Sequence, residues 1–376
     1  MCKHTPIYDV VCYQRESGRV SCENRENSNV TYNLKDFIVW SNMKKIVFNH
    51  LVIAILSLFA VFISCKKEDD EITAQKGDVF VAGRGYTMLW KNGVEQKLAG
   101  ANSVMMDYAS VYVSSNDVYV IGNTSVLGIF STLWKNGKMQ YSINNALMFS
   151  VAVSGNDVYI AGYEHVTTKG GSLRHIATLW KNGVAQHLVD ENTERSRAHS
   201  VFVSDSVYVA GISAGNAVVW KNGKAQALGK RVVWKNDEEQ VFDSGTAYSV
   251  FVSRGDVYVA GTSGGWVTVW KNGEVQEQFS DGGTGYSIFV SNSKVYVAGV
   301  TSGGDAAIWI DGEREYLTDR TISSVARSVY VSGSDVYVAG YKDSGRGSAR
   351  LFWKNGDVQE FGGSGVSRAT SVFVVE

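Results

Sequence analysis

The sequence predicts an all-β chain folded as a seven-bladed β-propeller with four-stranded blades, closed by pairing of the C-terminal strand with the N-terminal blade. Three observations carry that expectation. Trp-Lys-Asn-Gly or a close variant recurs with its tryptophan at Trp90, Trp134, Trp180, Trp220, Trp270, Trp309 and Trp353, at steps of about 40 to 50 residues, the span of one four-stranded unit. Val-Tyr-Val and Val-Phe-Val strings alternate with turn residues in a chain of 376 residues with 39 Gly and 1 Pro, which favours many short strands over helices. The strand count also closes on itself, as set out below.

Each unit reads in the same order. Strand A is Ser-Val-aromatic-Val-Ser, starting at Ser110, Ser150, Ser200, Ser249, Ser287, Ser328 and Ser371. Strand B is Val-Tyr-Val-Ala-Gly, starting near Val79, Val118, Val158, Val207, Val257, Val295 and Val336. In Asp256-Val257-Tyr258-Val259-Ala260-Gly261 one face carries the valines and the other Tyr258 and Ala260; both faces are apolar, so each blade is expected to be sandwiched between neighbours. Strand C ends in Trp-Lys-Asn-Gly, and Asn-Gly suits a type I′ hairpin into a short strand D because both turn residues need positive φ. The first unit lacks an A strand and the last A strand, Ser371-Val372-Phe373-Val374, has nothing after it. Residues 371–375 therefore complete the blade begun by residues 78–98, which leaves no open edge between first and last blades. One irregularity is the near copy of Val218–Leu228 at Val232–Phe242; it is too short for a blade and reads as a duplicated C-D hairpin at the rim of the fourth.

This strand order resembles kelch-type propellers over residues 78–376. The resemblance is architectural, with Ala-Gly where the kelch second strand ends in a double Gly, and without the Trp-Asp pair of WD repeats. It implies a fold and no function.

Ahead of the repeats, Met43-Lys44-Lys45 opens a run that is apolar from Ile46 to Ile63 and ends in Ser64-Cys65. A positive start, an apolar middle and a small residue before a cysteine form a signal-peptide pattern. It resembles a bacterial lipoprotein signal, with Phe62 where those signals carry Leu, and the following Lys66 to Asp70 resembles the tag of surface lipoproteins in Bacteroidetes-type bacteria. The resemblance implies cleavage before Cys65, lipidation of that residue, and a membrane partner through this anchor at the outer face of the bacterial outer membrane. A signal-anchor helix is the alternative. The expected organisation is an unstructured upstream extension (1–42), a signal peptide (43–64), a lipidated linker (65–77) and the propeller (78–376). The cysteines are Cys2, Cys12, Cys22 and Cys65, so no disulfide or cysteine metal site supports the repeats.

A formal net charge of -1 lacks the basic excess that nucleic-acid binding needs. In a propeller of this order the B-C and D-A loops share one face, and variable loops there place ligand recognition on it. The residues just before each strand A, Ala109, Phe149, His199, Tyr248, Tyr286, Arg327 and Thr370, should ring the mouth of the central channel; plugging of the channel is the plain alternative. Of these Phe149, His199, Tyr248, Tyr286 and Arg327 are the candidate ligand-binding residues, joined by Trp266 in the B-C loop of the fifth repeat. The seven periodic tryptophans read as core, since a stripe at the repeat period packs between units. His165, His175 and His199 are weak metal candidates without metal-ligand spacing; polar loop histidines are the simpler reading.

No nucleophile elbow, zincin helix or phosphate loop is present, and no cofactor is expected. The leading expectation is a monomeric, non-enzymatic, surface-exposed lipoprotein that binds a glycan or protein ligand through the B-C and D-A face. A propeller hydrolase or lyase acting on polysaccharide, and a structural scaffold of an envelope complex, are the alternatives.

Overall fold

The computed structural model describes residues 10–15, 19–24, 30–32, 71–85, 89–101, 108–124, 128–167, 170–190, 192–228, 231–235, 238–242, 244–343, 347–359 and 367–376. The expected signal peptide and Cys65 lie outside these residues. Met1–Asp70 and Glu71–Glu376 form separate units. Among the described residues every element is a strand, and no helix is long and apolar enough to cross a membrane.

The second unit is built as antiparallel meanders in the order A-B-C-D. Among the described residues it holds five four-stranded sheets, one seven-stranded sheet and one two-stranded sheet. In the seven-stranded sheet the long strand Glu274–Ser291 first pairs with Trp266–Lys271 as a D strand and then with Lys294–Thr301 as an A strand. Among the described residues, this shared strand joins two successive A-B-C-D sets in one sheet. Closure is as the sequence predicts: Arg368–Val374 pairs with Val79–Arg84, Ser371 opposite Ala82 and Val374 opposite Val79. The chain therefore forms an all-β propeller whose termini share one blade.

The recurrent motifs have separable physical roles. Each periodic tryptophan is at most 2% exposed and packs on the preceding unit: Trp134 on Phe80 and Leu89, Trp220 on Ala161 and Leu179, and Trp90 on Ala339 and Phe352 of the last unit. The Lys-Asn-Gly turns all take positive φ at both central positions, as in Asn272 (φ 53) and Gly273 (φ 95). Their asparagines do more than tolerate the turn. In every unit the Asn side-chain oxygen, or Asp311 in the sixth, accepts the N–H that opens strand B, from Val79 through Val118, Val158, Val207, Val257 and Val295 to Val336. The preceding lysine stacks on the strand B tyrosine and pairs with the Asp before it, as Lys181 does with Tyr159 (5.4 Å) and Asp157 (2.7 Å). Lys135, Lys271 and Lys354 repeat this geometry.

Strand A supplies the inner wall. Its central aromatics form a chain of ring contacts, Phe202–Phe251–Phe289–Tyr330–Phe373–Tyr112, at centroid distances of 4.6 to 5.1 Å. The third unit places the small, buried Ala152 in this series.

Three segments stand outside the repeat pattern. Within the segment 1–42, expected to be an unstructured extension, Val10–Arg15, Arg19–Asn24 and Val30–Tyr32 form a three-stranded antiparallel sheet; the β-branched residues Val10, Val11, Val20, Val30 and Thr31 suit such pairing. The linker is shorter than residues 65–77, because Ile72 and Ala74 are buried and the backbone of Ile72 and Ala74 bonds to Asn136 and Asn116. The copied hairpin, Arg231–Lys235 with Glu238–Phe242, is a two-stranded sheet of its own and adds no strand to the fourth blade.

Candidate binding site

The mouth residues are delivered by a repeated backbone device. In six A strands one extra residue interrupts the register with strand B just before the serine: Phe149, His199, Tyr248, Tyr286, Arg327 and Thr370. A bulged residue escapes the pleat and its side chain is re-aimed. The bulge also explains the Gly that ends strand B. A Cβ on Gly261 would sit 2.0 Å from the Thr246 carbonyl oxygen, and one on Gly162 2.0 Å from that of Leu147.

These side chains meet as a near-continuous ring. Phe149 contacts His199 (5.8 Å), His199 stacks on Tyr248 (5.0 Å), and Tyr248 meets Tyr286 edge-on (5.2 Å). Arg327 closes over the Tyr286 ring at 4.0 Å and donates to the Tyr341 hydroxyl at 3.3 Å. Thr370 does not present its hydroxyl to a ligand, since it donates to the Ala109 carbonyl.

The second unit departs from the pattern. Its register runs unbroken through Tyr108, Ala109 and Ser110, so without a bulge Ala109 turns inward and is fully buried. Tyr108 takes the mouth position instead, edge-on to Phe149 at 5.6 Å. Sequence position relative to the serine could not reveal this, because the missing extra residue shifts the side chains by one.

A second cluster adjoins Phe149. The hairpin of the third unit extends as Asp157–Thr167 and Leu173–Lys181, with His165 directly opposite His175; the expected loop histidines are thus strand residues. Tyr163 stacks on His175 at 4.5 Å and contacts Phe149 at 5.7 Å. Arg197 lies over Tyr163 at 5.1 Å and approaches His175 Nδ1 at 3.2 Å. Tyr163 and Arg197 were not singled out from sequence, although Arg197 stands two residues before His199, the spacing of one strand face.

Electrostatics set protonation here. His199 Nδ1 faces the Ala247 carbonyl at 3.0 Å, so this nitrogen carries the proton and Nε2 is left as the acceptor. Burial, reinforced by the charge of Arg197, pushes the His199 pKa down to about 4. His165 and His175 are lowered by burial and by Arg197 as well. All three are neutral at pH 7. Burial raises the Tyr108 and Tyr248 phenols, so both remain protonated donors. Burial opposes the charge of Arg327, but Tyr286 and Tyr341 outweigh it and hold its pKa above the ordinary arginine value.

Of the three weak metal candidates, His165 and His175 meet edge-on at 4.7 Å between ring centroids. Among the described residues no group of three or more His, Cys, Asp or Glu is placed to hold an ion, and the guanidinium of Arg197 beside His175 opposes a cation electrostatically. Trp266 is also corrected. Gly264 (φ 59) and Gly265 (φ 81) make a two-residue turn, so Trp266 is no loop residue but the first of strand Trp266–Lys271, paired with Ser263 and half-buried.

No family model matches the chain, and no curated protein matches it. Among solved structures it is similar to the β-propeller domain of the Trilobed protease from Pyrococcus furiosus, with 10% identity and a TM-score of 0.40, covering 68% of this chain and 83% of that one. It is also similar to the Trypanosoma rangeli sialidase in complex with 2,3-difluorosialic acid (8% identity, TM-score 0.40), covering 76% of this chain and 57% of that one. A third similarity is to the Pyrococcus horikoshii acylaminoacyl peptidase (13% identity, TM-score 0.38), covering 68% of this chain and 46% of that one. The chain spans about half the length of the latter two proteins. The propeller is read from its sheet order, inter-unit tryptophans and closing strand.

Proposed function

We propose that the chain is a non-enzymatic lipoprotein, anchored through Cys65 at the bacterial cell surface, which binds a glycan or protein ligand at the mouth of the propeller channel. The observation that carries this reading is the ring Tyr108–Phe149–His199–Tyr248–Tyr286–Arg327, whose adjacent members meet side chain to side chain. It combines flat apolar faces with phenol donors, a neutral imidazole acceptor and one cation, the composition of a site that grips a polar ligand with an apolar face.

A glycan and peptide array probed with the full chain tests the proposal. Binding that falls at least tenfold in Tyr248→Ala, by loss of about 1.4 kcal/mol or more, is the expected result. Binding that is indifferent to Tyr248→Ala and Tyr286→Ala would remove the mouth as the site.

A further inference from the structure

Two guanidinium groups at the mouth have no carboxylate partner among the described residues. Arg327 is held between the Tyr286 and Tyr341 rings, at 4.0 and 5.8 Å, with the Tyr341 hydroxyl as its one hydrogen-bond acceptor. Arg197 lies on Tyr163 and shares the Nδ1 of a neutral histidine. Among the described residues, carboxylates nearby have other partners: Glu164 pairs with His187 at 2.8 Å, Asp343 with Arg368, Asp305 with Arg320, and Glu194 with Arg174 at 3.8 Å. A guanidinium presents a planar fork that suits a carboxylate, and a half-buried one without a counter-ion gains most from an incoming anion. Among the described residues, two positive charges without a carboxylate partner thus gather at one place in a chain of formal net charge -1.

Resting on the reading that the mouth is a ligand site, we infer that its ligand is an acidic saccharide, a carboxylate-bearing oligosaccharide whose charge is met by Arg327 within the ring and by Arg197 at its edge. Stacking faces stand beside both cations, Tyr248 on His199 and Tyr163 on His175, which suits a sugar face next to each carboxylate. A cavity of ≈ 350 Å³ beside His175, with Leu173 and Glu194 in its wall, gives room for a further sugar beyond Arg197. An acidic peptide fits less well. Recognition of an extended peptide uses free strand-edge N–H groups, and here the inner edge is already occupied: N–H groups of Val111, Val201, Val250, Ile288, Val329 and Val372 each donate to a serine hydroxyl of the neighbouring blade.

The test is titration calorimetry of the full chain with oligogalacturonides, oligoglucuronides and the methyl esters of both, with polyglutamate as competitor. The acid forms should bind at least about tenfold more tightly than the esters, the effect of one charge-assisted contact. That preference should shrink in Arg197→Gln, whose exposed side chain leaves folding intact, and vanish in Arg327→Met while Arg327→Lys keeps part of it. Equal affinity for acids and esters, or binding of neutral sugars alone, would overturn the acidic ligand and leave the mouth as a saccharide site. Displacement by polyglutamate at equal strength would overturn it in favour of a peptide. Absence of binding to every saccharide would overturn the acidic saccharide, and the mouth itself would fall only if binding of every ligand on the peptide array were also indifferent to Tyr248→Ala.

Discussion

The hydroxyl of Ser371 accepts the backbone N–H of Val111 at 3.3 Å across 260 residues of sequence. The same bond joins Ser150 to Val201, Ser200 to Val250, Ser249 to Ile288, Ser287 to Val329 and Ser328 to Val372. In these six A strands the opening serine thus fastens one inner strand to the next around the channel. The junction after Ser110 lacks this bond among the described residues, and Ser110 belongs to the one A strand without the bulge. Bulge and fastening go together: the extra residue that sends a side chain into the mouth also sets the serine against its neighbour.

Closure by the C-terminal strand should be worth far more than its length suggests. Deleting residues 368–376 removes the pairing with Val79–Arg84 and exposes the partners of the buried Ala369, Val372 and Val374. At roughly 1.5 to 3 kcal/mol for each buried valine, Val372 and Val374 alone set an expected loss of about 3 to 6 kcal/mol. Urea unfolding of the truncated chain reads it directly, and a wild-type midpoint would mean that the blade closes some other way.

The asparagine of the Lys-Asn-Gly turn is predicted to act through its side chain as well as its backbone. Asn272 accepts the Val257 N–H at 2.9 Å and donates to Asp256 at 2.8 Å. Asn272→Ala should cost about 2 kcal/mol, from the lost bonds and the positive φ. Asn272→Gly keeps the positive φ and loses both side-chain bonds, so it should still cost about 1 kcal/mol. No loss in Asn272→Gly would assign the asparagine to turn conformation alone.

Acid should weaken the fold through the mouth before it reaches the turns. The His199 pKa is about 4 in the folded chain against about 6.5 when unfolded, so the unfolded state takes the proton first. Its contribution is whole above about pH 6.5 and is lost as pH falls through about 4, a total of roughly 3 kcal/mol. His165 and His175 act in the same direction. Asp117, Asp157, Asp256 and Asp335, lowered first by their lysine partners, lose their contribution only below about pH 4. In His199→Phe the stability difference between pH 7 and pH 4.5 should narrow in urea titrations; an unchanged difference would show that His199 does not titrate with folding.

The fold was legible because its signals are local and repeated. The period of Trp-Lys-Asn-Gly, the Asn-Gly turn and the unpaired strand at 371–375 each state a geometric requirement that single residues announce. The mouth was legible in part. Phe149, His199, Tyr248, Tyr286 and Arg327 could be placed because each precedes the serine of an A strand. Tyr108 could not, since its position depends on a bulge that the second unit lacks. The pairing of Arg197 with Tyr163 and His175 depends on how far the third hairpin extends as strand, which turn composition does not fix. Trp266 was misplaced because two glycines read equally well as a loop or as a tight turn.

The central claim is that ligand binding occurs at the ring of bulged residues, and hydrogen exchange of the full chain with and without an oligogalacturonide tests it most directly. The account predicts added protection confined to the starts of the A strands, in Ala146–Ser154, Arg197–Val203, Gly245–Ser253 and Ser324–Ser332. Protection confined instead to the outer strands, such as Val184–His187 and Lys224–Ala227, would contradict it.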